Sequence, residues 1–158
     1  MNSLQIRQAT EADLPVVLAM IKALAEYEKL SAEVVATEQV LKESLFEQRA
    51  AEAILAHVGA QAVGFAVYFH NFSTFLGRPG LYLEDLYVLP DWRGHGFGKQ
   101  LFARVAQIAV ERDCGRLEWA VLDWNDPAIG FYKKLGARPM DDWTTFRLTG
   151  GALQDAAR

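Results

Sequence analysis

The segment that decides the fold is Arg93-Gly94-His95-Gly96-Phe97-Gly98-Lys99. It lies between a β-like apolar run from Leu81 to Leu89 and a helical pattern from Phe97 to Asp113. Glycine at every second position lets the main chain approach a bulky ligand closely, and free N–H groups at a helix start attract anions. The segment therefore predicts a phosphate-binding turn between a strand and a helix, with an arginine and a lysine beside it.

Two better-known phosphate motifs do not fit this segment. The dinucleotide pattern G-x-G-x-x-G requires glycine at position 99 or 101, where Lys99 and Leu101 stand. The nucleotide-triphosphate loop requires glycine at position 93 and Ser or Thr after the lysine, but these positions hold Arg93 and Gln100. A glycine turn without a ligand is the remaining alternative, and three alternating glycines flanked by two cations make it the less favoured one.

Periodicity outward from the turn predicts alternating strands and helices. The predicted elements are a strand at Leu4–Gln8, an amphipathic helix from Leu14 to Ala25, a helix capped by Thr37, a hairpin of Ala53–Val58 and Ala62–Phe69, a strand at Leu117–Leu122, a helix at Pro127–Leu135, and one or two closing strands within Met140–Leu148. Mixed elements in this order imply an α/β or α+β sandwich. We expect one domain over residues 1–150 and a frayed tail over residues 151–158.

Composition limits the classes of function. The chain has 158 residues, of which 51% are hydrophobic and 23% charged, as expected of one folded domain. A net charge of −4 argues against general nucleic-acid binding, which requires a basic face. Cys114 is the only cysteine, so neither an intrachain disulfide nor a multi-thiolate metal cage forms, and we expect no metal.

The first residues and the longest apolar runs concern the compartment. Met1 to Arg7 contain neither a basic leader nor an apolar stretch, and no apolar run reaches membrane-spanning length. We therefore expect a cytoplasmic protein without a membrane partner.

Two segments resemble the GNAT acetyltransferase family. The family signature, Arg/Gln-x-x-Gly-x-Gly/Ala at a strand-to-helix turn, reads here RGHGFG from Arg93 to Gly98. Asn125, followed by FYKKLG from Phe131 to Gly136, resembles the second conserved segment of the family, although Ala137 stands where many members have Phe. The resemblance covers nearly the whole chain and implies a GNAT fold, with a mixed, mostly antiparallel sheet of about six or seven strands and about four helices.

The resemblance implies that acetyl-CoA is the co-substrate. In the family, the turn holds the pyrophosphate, and the preceding strand hydrogen-bonds the pantetheine arm as an additional strand would. The cofactor-binding residues that this implies are Leu86, Val88, Arg93, Gly94, His95, Gly96, Phe97, Gly98, Lys99, Asn125, Tyr132 and Lys133. Asn125 also suits the N-cap of the last helix, and both roles stay open.

Acyl transfer to an amine requires a group that accepts a proton and a group that donates one. Glu84 and Asp85 are adjacent acids in an otherwise apolar strand, where ionised groups are costly, and alternation predicts that only one of them faces a cleft. We assign Glu84 as the base, acting through water. Tyr132 is a core aromatic or a general acid by periodicity alone, and the family resemblance favours the general acid for the departing CoA thiolate.

Several short segments resemble the diamine acetyltransferase branch of the family. These are LYLED at 81–85, VLDWN at 121–125, FYK at 131–133 and LAEYE at 24–28. The resemblance implies that Glu28, Glu84 and Asp85 hold a small cationic amine, and that the protein is a homodimer. No acid occurs in Asn71–Phe75, so a thialysine-like amine fits at least as well as a long polyamine. A protein or peptide N-acetyltransferase and a non-catalytic acyl-CoA sensor are the alternatives.

Overall fold

A five-stranded sheet organises the first of two compact units, which ends at Ala120. The computed structural model describes residues 3–158. The strands, in chain order and in sheet order, are β1 (Leu4–Gln8), β2 (Glu52–Val58), β3 (Gln61–Ser73), β4 (Arg78–Val88) and β5 (Leu117–Trp119). β1 to β4 pair antiparallel, and β5 pairs with β4 in parallel. The predicted mixed, mostly antiparallel sheet is confirmed.

Three α-helices belong to the same unit. They are α1 (Leu14–Tyr27), α2 (Glu38–Lys42), which continues as a π-helical turn over Glu43–Glu47, and α3 (Phe97–Glu111). The second unit, from Val121 to Arg158, contains α4 (Asp126–Lys134) and α5 (Gly150–Ala156).

Two buried clusters of apolar side chains hold α1 and α3 on opposite faces of the sheet. Val17, Met20 and Leu24 of α1 pack with Ala53, Leu55, Phe65, Val67 and Tyr87. Leu101, Val105, Ile108 and Ala109 of α3 pack with the alternate residues Ile54, Ala56, Ala66, Tyr68, Leu81, Leu83 and Val88. Because successive side chains of a strand point to opposite faces, one sheet supplies both layers of the core.

A polar network fixes the chain between β1 and α1. The Asp13 carboxylate accepts two hydrogen bonds from the Arg7 guanidinium, one from the Thr10 backbone N–H, and one from the Thr10 hydroxyl. The hydrogen bonds from Arg7 are the largest influence and hold the pKa of Asp13 well below its usual range. This network fixes the start of α1, the helix that Glu28 directly follows.

Gly64 on β3 allows a close approach at the centre of the sheet. A Cβ at this position would lie 2.7 Å from the Tyr87 carbonyl oxygen and 3.1 Å from a Leu101 methyl carbon. Only glycine therefore lets β4 and α3 pack at the present distance.

Two expectations for the end of the chain are wrong. No strand follows β5 in the part of the chain that the structure describes, so the sheet has five strands rather than about six or seven. Trp143, Thr144, Thr145 and Phe146 all have strand propensity, but propensity makes a strand only where a neighbouring strand supplies hydrogen bonds. The tail predicted to be frayed contains α5, because the helix-forming run after Gly151 outweighs the two glycines at its start.

No helix within residues 3–158 is both long enough and apolar enough to cross a bilayer.

Candidate active site

The candidate site starts on β4, at the edge that β5 leaves unpaired from Glu84 to Val88, which we call the free edge. Pairing of β4 with β5 ends at Leu83 and Trp119. Over residues 3–158, no strand pairs with that edge of β4 from Glu84 to Val88, while β3 pairs with the opposite edge. The predicted cofactor-binding residues Leu86 and Val88 lie in this segment. An unpaired edge presents backbone N–H and C=O groups that an extended ligand can bind.

A β-bulge lies at the start of the free edge. Leu83 pairs with Tyr68 and Asp85 pairs with Val67, so Glu84 is the extra residue of β4. Leu83 and Leu86 both pack toward α3, yet two residues separate them instead of one. The prediction that Glu84 and Asp85 point to opposite faces is therefore wrong. A bulge interrupts the alternation of a strand, and neither acid faces α3.

The two acids differ in their surroundings. Glu84 is exposed, whereas Asp85 is half-buried. Burial, followed by the charges of Glu84 and Glu28, raises the pKa of Asp85 to about 7. Burial also raises the pKa of Glu28, the residue directly after α1. The three predicted amine-binding residues thus form one acidic region between the end of α1 and β4.

The glycine turn places left-handed glycines directly before the first residues of α3. Gly94 and Gly96 adopt φ values of 83° and 79°, and a Cβ on either would meet no atom within 4 Å. Gly96 is the N-cap of α3, and its carbonyl oxygen accepts the first hydrogen bond of the helix from the Gln100 backbone N–H. The N–H groups of the intervening residues Phe97, Gly98 and Lys99 have no partner within the helix and are available to an anion. The rings of His95 and Phe97 lie 5.6 Å apart beside the turn.

Arg93, the first residue of the signature, directs its side chain away from the turn. Its Nε donates to the Val88 carbonyl oxygen at 2.9 Å. Its guanidinium carbon lies 4.9 Å from the ring centroid of Tyr27 and 5.1 Å from that of Tyr87. Sequence reasoning missed both tyrosines, since residues 27, 87 and 93 come from separate elements and no local pattern joins them.

The remaining predicted residues belong to the second unit. Asn125 is the N-cap of α4, and its side-chain oxygen accepts a hydrogen bond from the Ala128 backbone N–H at 3.4 Å. The capping role is therefore present. Tyr132 and Lys133 lie on α4, and the Tyr132 ring is 5.4 Å from that of Phe131.

Within residues 3–158, no group of three or more His, Cys, Asp or Glu residues is arranged to hold a metal ion. The site consists of an acidic region, a free strand edge and a glycine turn.

Known proteins resemble this chain over almost its full length. A sequence profile described as the acetyltransferase (GNAT) family matches residues 19–137. A thialysine N-epsilon-acetyltransferase of Sus scrofa is 39% identical, with 99% of each chain covered. An L-ornithine N5-acetyltransferase of Arabidopsis thaliana is 31% identical, covering 95% of this chain and 86% of the relative. Among solved structures, an integron cassette protein of V. cholerae superimposes with a TM-score of 0.81 at 30% identity, covering 99% and 98% of the two chains.

Proposed function

This chain belongs to the GNAT acetyltransferase family, and from that premise we propose that it transfers the acetyl group of acetyl-CoA to a primary amine of a small cationic molecule. The observation that carries the proposal is the arrangement of β4. The acidic pair Glu84 and Asp85 begins the same free edge that leads into the glycine turn. The relatives support the acceptor class, because thialysine and L-ornithine both carry a side-chain amine.

The free edge and the turn fit the two parts of CoA. The main-chain groups of Leu86 and the N–H of Val88, whose carbonyl oxygen already accepts from Arg93, suit the amide-containing arm as a further strand would. The first amides of α3, with the glycines before them and Lys99, suit the diphosphate. We also propose, from the family resemblance, that Asn125, Tyr132 and Lys133 bind CoA.

The acidic region suits the acceptor amine. An alkyl amine has a pKa near ~10.4 and is a cation at neutral pH. Glu28, Glu84 and Asp85 supply negative charge near one another, and Asp85 is partly desolvated, so the attraction is screened less than at an exposed surface. A small amine with one or two positive charges matches a region of three carboxyl groups.

The reaction requires three proton transfers. The bound ammonium loses a proton to Glu84 through a water molecule, since this carboxylate is the exposed member of the pair. The amine nitrogen then bonds to the thioester carbon, and the bond from that carbon to sulfur breaks. The Tyr132 hydroxyl gives its proton to the departing thiolate, so CoA leaves as the free thiol, and the acylated nitrogen loses its second proton through water, which restores the Tyr132 hydroxyl.

Two further proposals concern the assembly, on the family resemblance, and the compartment. We propose that the protein is a homodimer, which light scattering tests, with a monomeric mass as the contradicting result. We also propose a cytoplasmic location, which fractionation of cells that express the native gene tests.

The discriminating experiment is thiol release from acetyl-CoA with a panel of thialysine, L-ornithine, putrescine, spermidine, an aminoglycoside and an N-terminal peptide. We expect turnover with the small amines, and a loss of about 10²-fold in kcat for Tyr132→Phe at similar KM. Fastest turnover with the peptide would favour a protein acetyltransferase. Tight CoA binding without turnover on any acceptor would favour an acyl-CoA sensor.

A further inference from the structure

Arg93 connects three elements of the site through a single side chain. Its backbone begins the glycine turn, its Nε donates to the end of β4 at Val88, and its guanidinium contacts Tyr27 and Tyr87. The two rings lie 6.2 Å apart at 54° to each other. Guanidinium groups stack well on aromatic faces, and a contact with two rings fixes the direction of the side chain.

Both tyrosines adjoin residues proposed to hold the amine. Tyr27 is the last residue of α1, and Glu28 follows it directly. Tyr87 lies two residues beyond Asp85 on β4, so both side chains lie on the face of the sheet toward α1. A shift of Tyr27 relative to Tyr87 would therefore change the separation of Glu28 and Asp85.

The end of α1 is closed by its own backbone. The Glu28 N–H donates to the Leu24 carbonyl oxygen at 2.9 Å, and the Leu30 N–H donates to that of Ala25 at 2.8 Å. Lys29, between them, adopts a φ of 62°, as residues that terminate helices often do. Tyr27 is 37% exposed, and its contact with Arg93 links this closed helix end to β4 and the glycine turn.

We propose that Arg93 is a positioning residue that couples the two substrate sites, so that CoA at the turn and the amine at the acidic region bind cooperatively. An occupied turn restrains the backbone of Arg93, and its side chain then holds Glu28 opposite Asp85 by way of Tyr27 and Tyr87. By thermodynamic linkage, the amine strengthens the binding of CoA by the same factor. This proposal rests on the proposed function, which places the diphosphate at the turn and the amine at the acids.

The coupling is measured by calorimetry. The probes are CoA, which carries no acetyl group and allows no turnover, and whichever of thialysine, L-ornithine and putrescine the protein acetylates. The dissociation constant of the amine is determined without CoA and with saturating CoA. For the native chain we expect saturating CoA to tighten amine binding by about 5-fold or more, the lower range of allosteric coupling.

Four variants separate positioning from charge. Arg93→Lys keeps the charge without the planar stacking group, and Tyr27→Leu removes the ring from the other side. Both are expected to reduce the coupling to less than about 2-fold while CoA alone still binds. Tyr27→Phe keeps the ring and should retain the coupling. Lys99→Met is the matched control, since it removes a turn cation that has no part in the stack and should weaken CoA binding without changing the coupling factor.

The outcomes discriminate between the two proposals. If Arg93→Lys mainly weakens CoA binding and leaves the coupling factor intact, Arg93 is a diphosphate ligand and the positioning role is wrong. Independent binding of CoA and amine to the native chain would overturn the coupling but leave the acetyltransferase proposal standing. If the native chain bound no CoA, both proposals would fail together. Thermal unfolding of each variant identifies any loss of fold.

Discussion

The Asp13 carboxylate is held by the Arg7 guanidinium through two hydrogen bonds of 2.7 and 2.8 Å. The side chain of Arg7 is 48% exposed and that of Asp13 only 12%. Together with the hydrogen bonds from Thr10, this pair stabilises the ionised form of Asp13 in the folded state.

Asp13 should therefore make stability pH-dependent in the acid range. Its folded pKa lies below the unfolded value of about 3.9, so its contribution is complete above that pH and is lost as pH falls further. We expect Asp13→Asn to lower the free energy of unfolding by about 1 kcal/mol at pH 7, because it removes the charge that pairs with Arg7 and one of the two oxygens that accept from it. Urea unfolding at pH 7 and pH 3 checks this, and an equal effect at both pH values would contradict it.

Gly64→Ala should destabilise the sheet by about 1–3 kcal/mol, because its Cβ would be 2.7 Å from the Tyr87 carbonyl oxygen, and a backbone atom moves less easily than a side chain. Gly130→Ala is the matched control. It lies inside α4 with open space around its Cβ, so alanine should be neutral or slightly stabilising. Urea unfolding measures the change in the free energy of unfolding for each variant. Equal changes would show that the close approach at Gly64 is unimportant.

Gly96→Asp should weaken CoA binding by at least about tenfold, or about 1.4 kcal/mol. The variant adds a carboxylate at the anion site and places a side chain at a φ of 79°. Gly77→Asp adds the same charge at a similar φ of 66° on the β3–β4 loop, outside the turn. Calorimetry with CoA should distinguish the two, and equal losses would mean that backbone strain rather than the lost anion site is responsible.

Asp85 should give the acetylation rate a pH dependence near neutrality. Its pKa of about 7 means that it is neutral below and ionised above that pH. Since only the ionised form of Asp85 attracts the acceptor ammonium, which Glu84 then deprotonates, kcat/KM should rise as pH increases through about 7. Asp85→Asn should flatten this rise and lower kcat/KM at pH 8 at least about tenfold. If Glu84→Gln removes the rise of kcat/KM with pH and Asp85→Asn does not, the pH dependence does not come from Asp85.

The same carboxylate should oppose folding at higher pH. A carboxyl group with a raised pKa binds more protons in the folded than in the unfolded state, so its contribution to stability decreases between about pH 4 and pH 7. Asp85→Asn is therefore expected to raise the melting temperature at pH 8 and to have less effect at pH 5. A melting temperature that falls at pH 8 would indicate that Asp85 has a favourable partner.

Local sequence signals predicted the elements whose causes are local. The apolar stripe of α1, the run that forms β4 and the glycines before α3 all act within one element, and each was predicted where it occurs. The turn and its helix start follow from backbone chemistry alone, so this part of the site was predictable without a partner element.

Features that depend on two elements were not predictable in the same way. The bulge at Glu84 arises from the register between β3 and β4, and alternation within one strand gives no sign of it. Likewise, the stack of Arg93 on Tyr27 and Tyr87 requires the relative positions of a helix, a strand and a turn. The residues around Trp143 favour a strand locally, but no neighbouring strand in the described part of the chain pairs with them, so the local signal was misleading.

The unpaired edge of β4 also affects how readily the protein aggregates when no substrate is bound. Exposed strand edges invite pairing with the edge of another molecule, which is a common route to aggregation. The segment from Glu84 to Val88 is short, bulged and begins with two acids, features that disfavour such pairing between identical copies. A ligand seated along the edge would remove the hazard altogether, so purified enzyme stored with CoA should remain dispersed for longer than enzyme stored without it.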